Sequence, residues 1–484
     1  MSFELVVGME VHAQLKTGSK LFCACGTAFA SSPNIETCPV CLGYPGVLPV
    51  LNRRAVELLC KTALALNCQI NKTSVFARKN YFYPDLPKGY QISQYELPLA
   101  ENGWLYVESG PGKSKKIRIR RIHLEEDTGK LLHESGSGSL LDLNRAGIPL
   151  MEIVTEPDIH SSDEAYSYIS QLRSIFRYLD VSDGNMEEGN MRCEPNISIN
   201  KKAEKTLGTK VELKNLNSFR SVVRGIEYEY KRQSNALCNG EELYQETRGW
   251  DEKKQKSFVM RRKEDAHDYR YFPEPDLPPL VLSENFVAEQ AKSLPELPAC
   301  RAERFKNDFG LSSYDAGELT RDREIADYFE EVIVFAQKKQ KNCKLAANWI
   351  LNVLLGSVKE AKISLTNYHI RPADLRELLT YLEEGKISSK IAKDIYEKMH
   401  KKKQKAGDVI KAEGIIQVSD TSQLLDLVEE VLCNHPGELQ KFFSGKERVI
   451  AFFVGQVMKA TKGKANPGVV NKLLRAAIEK RRPS

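Results

Sequence analysis

The side chains that could do chemistry in this chain fall into a cysteine cluster and a set of scattered carboxylates and histidines. Cys23-x-Cys25 is followed after twelve residues by Cys38-x-x-Cys41, with Gly26, Pro39 and Gly43 supplying turns. Four thiolates in two tight pairs suit tetrahedral Zn²⁺, and a site closed by four soft ligands has no open position for catalysis. Such an ion would pin a loop. The single spacer of the first pair is tighter than the usual two to four, and four unrelated buried thiols are the alternative.

Glu10 and His12 lie two residues apart in an alternating run, so on a strand they project from one face with Cα atoms roughly 6.5 to 7 Å apart. Both could reach one cation. His123 and Glu125 repeat the arrangement in His-Leu-Glu-Glu-Asp. Glu152 stands inside the apolar run Ile148 to Val154, where an unpaired carboxylate is expensive to bury. Glu194 and Glu212 are further acids on short strands. Hard oxygen ligands converging on one sheet face favour Mg²⁺ or Mn²⁺, and Mg²⁺ held by carboxylates is the usual partner of ATP phosphates. Taken singly, Glu10, Glu125 and Glu212 also read as solvated strand faces, and His12 and His123 as satisfied core histidines. Glu152 demands a partner on either reading.

The segment Arg78 to Tyr90 combines cations, tyrosines, an acid and rigid prolines. A nucleotide or charged-substrate pocket would use Lys79 and Lys88 as point charges, Tyr81 and Tyr83 as walls and Asp85 as the acid; a rigid aromatic loop packed on the core is the other reading. No Walker A sequence and no dinucleotide glycine fingerprint occurs, so an ATP site here must be of another kind.

The elements that must position these groups follow from periodicity. Leu5, Val7, Met9 and Val11 line one face of a first strand, and Val6, Gly8, Glu10 and His12 the other. A second strand, Lys116 to Glu125, alternates Ile117 and Ile119, then shifts phase to Ile122 and Leu124, as a bulge would require. Helical patterns span Arg54–Leu66 and Ser162–Leu179, the latter opening on Ser-Ser-Asp-Glu. The first part is therefore mixed α and β. The proline-rich passage Phe272 to Pro298 reads as an extended linker. Beyond it come amphipathic helices: Ile325–Ala336, Lys344–Ala361, Pro372–Glu384 with Gly385 as its stop, and Ser388–Lys403. A basic run, Lys398 to Gly407, precedes Ser422–Cys433, Glu447–Thr461 and Pro467–Lys480. The expected fold class is α+β, a sheet-containing domain at 1–292 followed by all-α domains at 293–405 and 406–484.

Composition narrows the class. The 484 residues are 41% hydrophobic and 28% charged, a globular balance, and no apolar run reaches the roughly 18 residues a spanning helix needs. The N-terminus lacks a basic leader and reads directly into a strand, so the expected location is cytoplasmic, with no membrane partner. Eleven cysteines, an odd number, argue against a disulfide framework. A formal charge of +6 permits nucleic-acid binding without requiring it.

Together the motifs resemble the family of B subunits of bacterial aspartyl/glutamyl-tRNA amidotransferases. The resemblance rests on Gly8-Met-Glu-Val-His12, the four cysteines, Tyr81 to Ile92, His123-Leu-Glu-Glu-Asp127, Asn144 to Pro149, Glu152 to Asp158, Met191-Arg-Cys193, Val211 to Asn217, Glu264 to Tyr271 and Gly455 to Gly463. It implies a cradle domain of the glutamine synthetase and guanido-kinase type, a helical domain and a tail of the YqeY type. It implies ATP-dependent activation of the side-chain carboxylate of Glu-tRNA(Gln) or Asp-tRNA(Asn), then amidation, with Mg²⁺ ligands at Glu10, His12, Glu125 and Glu152. Arg192 and Glu212, within matching stretches, join Lys79, Tyr81, Tyr83, Asp85 and Lys88 as expected substrate or nucleotide contacts. Implied partners are an amidase (A) subunit that supplies ammonia, a small C subunit, and the misacylated tRNA. One departure from the family is Glu194-Pro195, where Asp-Ala is more often found. Lys459, Lys462, Lys464, Lys472 and Arg475 are the expected tRNA phosphate contacts, each also readable as solvated basic surface. The rival readings are a non-catalytic zinc-bearing RNA-binding scaffold and a metal-dependent nuclease built on the same acids.

Overall fold

A computed structural model describes residues 3–28, 32–110, 112–133, 138–201, 206–262, 268–334, 340–413, 421–461, 465 and 467–481. Two compact units, Met1–Pro298 and Ala299–Ser484, divide the chain.

The first unit is built on a nine-stranded sheet. Its strands are β1 (Phe3–Gln14), β2 (Gln69–Ile70), β3 (Ala100–Glu108), β4 (Ser114–Glu126), β5 (Pro149–Thr155), β6 (Met191–Lys201), β7 (Val211–Lys214), β8 (Glu246–Asp251) and β9 (Lys256–Arg262). Their spatial order is β9-β8-β7-β6-β1-β5-β4-β3-β2, so the N-terminal strand sits in the middle. All pairs are antiparallel except β7 with β8.

Alternation along β1 divides the two faces as its sequence predicts. Val7, Met9, Val11 and Ala13 are fully buried in a core with helices α1 (Arg53–Ala65), α2 (Ser162–Tyr178) and α3 (Phe219–Cys238), through Leu58, Leu59, Tyr168, Phe176, Val222 and Ile226. Helix α2 starts where its Ser-Ser-Asp-Glu sequence predicts, with the Ser161 hydroxyl accepting from the Glu164 amide at 3.1 Å. The phase change in β4 is a bulge: Val154 of β5 faces Arg121 and the next residue, Thr155, faces Ile119. One extra residue lets Ile117, Ile119, Ile122 and Leu124 all enter the same core. It also turns Arg121, His123 and Glu125 together onto the opposite face.

Against that opposite face lies a three-stranded sheet, Ala77–Asn80 between Tyr90–Ser93 and Phe272–Pro273. The Gln94 side chain reaches across to accept from the Leu124 amide at 3.1 Å. The passage from Phe272 to Pro298, expected as an extended linker, is instead part of this unit. It supplies strand residues Phe272–Pro273 and Leu280–Val281 and a helix, Glu284–Lys292. Leu277, Leu282, Phe286, Val287 and Leu297 pack on the core. Prolines set its direction, but its apolar residues bury area that a free linker would leave in water.

The second unit is helical among its described residues. Helices Arg323–Val334, Pro372–Glu383, Ser389–Lys402, Thr421–Asn434, Ile450–Ala460 and Pro467–Lys480 match their predicted spans within a few residues. Gly385, at φ +70°, ends the second of these. The single helix expected over Lys344–Ala361 is interrupted by a π-turn, Ile350–Leu354, that keeps Ile350 and Leu354 both fully buried. The unit holds two apolar clusters, one from Phe305 to Ile410 and one from Leu424 to Ile478. No helix among the described residues is long and apolar enough to cross a membrane.

Candidate active site and cysteine knuckle

Strand register assembles the acids. His12 of β1 faces Glu152 of β5 on one side and Arg192 of β6 on the other, and Glu152 faces His123 of β4. One row therefore runs Arg192, His12, Glu152, His123 across four strands. In the next row Glu10 faces Glu194 and Val154, and Val154 faces Arg121. Glu125 faces Leu150 in the row on the other side. Segments more than a hundred residues apart thus meet on one polar surface.

The centre is His12, Glu125, Glu152 and His123. His12 Nε2 lies 3.4 Å from Glu152 Oε2 and 3.8 Å from Glu125 Oε1. His123 Nε2 lies 3.2 Å from Glu152 Oε2 and 3.6 Å from Glu125 Oε2. Burial works against the charge on both carboxylates, yet the imidazoles, with Lys79 beside Glu125, outweigh it and hold Glu125 below and Glu152 well below the usual range. Burial likewise opposes charging of the histidines, but the carboxylates raise His12 and lift His123 to about 9. Ser93 Oγ donates to Glu125 Oε2 at 3.0 Å.

One ligand atom each of His12, Glu125 and Glu152 lie within 4.8 Å of one another. Two buried carboxylates and an imidazole aimed at a common point fit a divalent cation of the hard or borderline kind, which would take over the balancing charge now carried by the imidazoles. Glu10 is not in this close set. It groups with Glu194 and Glu212. Burial, and next the Glu152 charge, raise the Glu10 carboxyl, although Asn196 Nδ2 donates to it at 2.8 Å. Lys214 binds Glu194 at 2.5 Å and Glu212 at 3.0 Å, and Thr247 Oγ1 donates to Glu212 at 2.9 Å. The three acids and one imidazole expected around one ion are thus divided three and one, on adjoining rows.

The 78–90 segment stands over this surface. Lys79 Nζ sits 5.0 Å from the Tyr269 ring centre and 6.0 Å from that of Tyr81, and its ammonium is held charged against burial by Glu125 and Glu152. Lys88, read as a point charge for phosphate, is instead taken by Glu126. Arg192 is likewise engaged, its Nη2 donating to the buried Asp127 at 2.8 Å. Asp85 contributes a turn, its carbonyl accepting from Gly129 N at 2.8 Å, and Tyr83 is exposed. Glu212, as above, lies with the second acid group rather than beside Lys79.

The four cysteine sulfurs all lie within 4.8 Å of one another. Cys38 and Cys41 sulfurs are 3.9 Å apart, close to the ~3.8 Å edge of a tetrahedron with ~2.3 Å Zn–S bonds. Cys38 N donates to Cys41 Sγ at 3.2 Å, and the fully buried Lys20 ammonium lies 3.6 Å from the same sulfur. A shared hydrogen bond with Cys23 and the nearby Lys20 pull the Cys41 thiol down to about 4. The donor set fits zinc.

In the second unit Lys459, Lys472 and Arg475 are exposed on Ile450–Ala460 and Pro467–Lys480. Lys462 and Lys464 lie outside the described residues, as do Glu264 to His267 of the Glu264 to Tyr271 motif.

Several neighbours carry no periodic signal of their own. Asp127, which binds Arg192, Arg145 and Gln14, sits beyond the alternating part of β4; Asn196 and Lys214 become partners of the acids only through pairing of β6, β1 and β7. Tyr269 and Tyr271, which close over Lys79, are legible only as part of a motif.

The family described as GatB/GatE catalytic domain matches residues 5–288, and one described as GatB domain matches residues 327–478. A protein of Persephonella marina, named as the B subunit of an aspartyl/glutamyl-tRNA(Asn/Gln) amidotransferase, is 51% identical over 480 residues, 99% of this chain and 100% of the relative. Proteins of the same name from Thermodesulfovibrio yellowstonii and Myxococcus xanthus are each 50% identical, over 98% of this chain and 99% and 98% of their own lengths. Matched over nearly its whole length, and by a family model of the catalytic domain that spans its acid site, this chain belongs to the GatB/GatE family.

Proposed function

We propose that this chain is the kinase and transamidase component of a tRNA-dependent amidotransferase, acting on Glu-tRNA(Gln), Asp-tRNA(Asn) or both. A side-chain carboxylate is a poor electrophile because its leaving group would be an oxide. Transfer of the γ-phosphoryl group of ATP to a carboxylate oxygen gives an acyl phosphate; ammonia then attacks the carbonyl carbon, phosphate leaves, and the amide remains. The observation that carries this reading is the register that gathers His12, Glu125 and Glu152 around one point below Lys79.

Under this reading His12, Glu125 and Glu152, with Glu10 on the next row, would hold Mg²⁺, which offsets charge on the transferred phosphoryl group. Lys79, kept charged by Glu125, is placed to attract phosphate, and Tyr81 and Tyr269 narrow the space around it. The four cysteines would hold a structural zinc. The sheet unit corresponds to a cradle of the glutamine synthetase and guanido-kinase type, with domains at 1–292, 293–405 and a YqeY-like tail at 406–484. Ammonia would come from an amidase (A) subunit, with a small C subunit completing the complex.

The test is ATP consumption by the assembled complex with ammonium as donor. A single ATP hydrolysed per amide formed is expected. A non-catalytic scaffold predicts no ATP use, and a metal-dependent nuclease predicts tRNA cleavage by Mg²⁺ without ATP.

The tail makes a separate prediction. Changing Lys459, Lys472 and Arg475 together to glutamine should weaken tRNA binding at every sequence and reduce the slope of log affinity against log salt by about 1 for each phosphate no longer bound. A filter-binding titration at several salt concentrations measures it, and an unchanged slope would assign these residues to plain solvated surface.

A further inference from the structure

The cations around the acid site are mostly neutralised by carboxylates: Lys88 by Glu126, Arg192 and Arg145 by Asp127, Lys214 by Glu194 and Glu212. Arg121 differs. Among the described residues its side chain makes no ion pair and no hydrogen bond, and its Nε is buried from water without a partner. The bulge in β4 turns it onto the catalytic face, two residues before His123 and four before Glu125. It faces Val154, whose other neighbour across the sheet is Glu10. At the usual ~4.8 Å strand spacing that places the two backbones about 10 Å apart.

Its other surroundings are aromatic. The Arg121 guanidinium lies 5.8 Å from the Tyr95 ring centre, and Tyr95 stacks on Tyr271 at 4.3 Å and 6°. Both tyrosines line a cavity of about 560 Å³ bounded also by Tyr269 and Arg270. Tyr269, which lines this cavity, has its ring centre 5.0 Å from Lys79 Nζ, so the cavity adjoins the acid centre.

A guanidinium partly out of water, with a buried N–H unsatisfied, costs free energy unless something pairs with it in the working state. Its planar fork of donors matches phosphate oxygens, and the Tyr95 ring beside it restricts the rotamer freedom that binding would otherwise remove. We propose that Arg121 binds a phosphate oxyanion of substrate where the aromatic cavity meets the acid site. This deepens the kinase reading and rests on it. Phosphate can come from ATP or from the phosphodiester next to the 3′ end of the tRNA, and the two are separable by experiment.

The assembled complex carrying Arg121→Gln, and separately Arg121→Lys, is assayed for KM of ATP, KM of aminoacyl-tRNA and kcat, alongside equilibrium binding of labelled ATP without tRNA. Arg121→Gln is expected to raise one KM by roughly tenfold or more, and Arg121→Lys, which keeps a point charge but loses the fork, to restore part of it. Weaker ATP binding with a raised ATP KM assigns the nucleotide phosphates; a raised tRNA KM with unchanged ATP binding assigns the phosphodiester. Wild-type values for both KM in an active Arg121→Gln enzyme overturn the proposal and leave Arg121 as a packing partner of Tyr95. So does lowered thermal stability with no change in either KM. Failure of the kinase reading shows differently, as absent ATP turnover in the wild-type complex.

Discussion

Replacing Glu125 by glutamine is expected to lower amide formation by roughly 10³-fold or more while leaving the chain folded. Glutamine keeps the volume and an oxygen able to accept from Ser93, so packing in this buried spot changes little. What disappears is a negative charge 3.8 Å from His12 and 3.6 Å from His123, at the point where the donor set converges. Stability should move by only about 1 kcal/mol, because losing the attraction to the imidazoles is offset by losing repulsion from Glu152. Glu152→Gln should be as damaging to activity and more so to stability. Glu152 approaches both imidazoles, at 3.4 and 3.2 Å, and its removal leaves them with the more distant Glu125 alone. The measurements are amide formed from labelled aminoacyl-tRNA and a thermal melt of each variant. Full activity in both would remove the acid centre from the reaction.

The Cys38→Ser, Cys41→Ser double variant is expected to lose the zinc, about one ion per chain, that the wild type should contain by metal analysis. Because a structural zinc site is not formed in the unfolded chain, its binding free energy is folding free energy, and the loop it closes should loosen. The loosening should spread. Lys20 ties the knuckle to its surroundings, donating to the Glu36 carbonyl at 2.6 Å and approaching that of Leu143 at 3.4 Å. Gly43, at φ +71°, lies so close to Lys88 that even a methyl group there would collide with it. Lys88 in turn holds Glu126, the neighbour of Glu125. Faster amide hydrogen exchange is therefore expected in both 21–50 and 81–89, with a raised KM for ATP. Unchanged zinc content in the double variant would refute the cysteine assignment, and altered exchange confined to 21–50 would refute the link to the 81–89 segment.

How much of this is legible without coordinates depends on the range over which each signal acts. Alternation in Leu5 to His12 correctly puts Glu10 and His12 on one face, and the phase slip between Ile119 and Ile122 correctly announces a bulge, because both follow from a two-residue period. The spacing of the four cysteines announces two tight pairs, and the fold then brings the pairs together, all four sulfurs within 4.8 Å of one another. Caps and stops place most helices within a few residues. None of these signals reaches beyond a few positions along the chain.

Everything that depends on which strands are neighbours had to come from the tertiary structure. His12 meets Glu152, and Glu152 meets His123, only because β1, β5 and β4 pair in one register, and a shift of one residue would send those side chains into the core. The same register separates Glu10 from the close group of His12, Glu125 and Glu152, commits Lys88 to Glu126 and Arg192 to Asp127, and leaves Arg121 without an ion pair or hydrogen bond among the described residues. Apolar packing likewise decided that 272–298 belongs to the sheet unit, although its prolines read as a linker. The sequence by itself determined which residue types share a face; the folded chain decided which charges touch, because Coulomb and hydrogen-bond energies depend on separations of a few ångströms that sheet pairing alone sets.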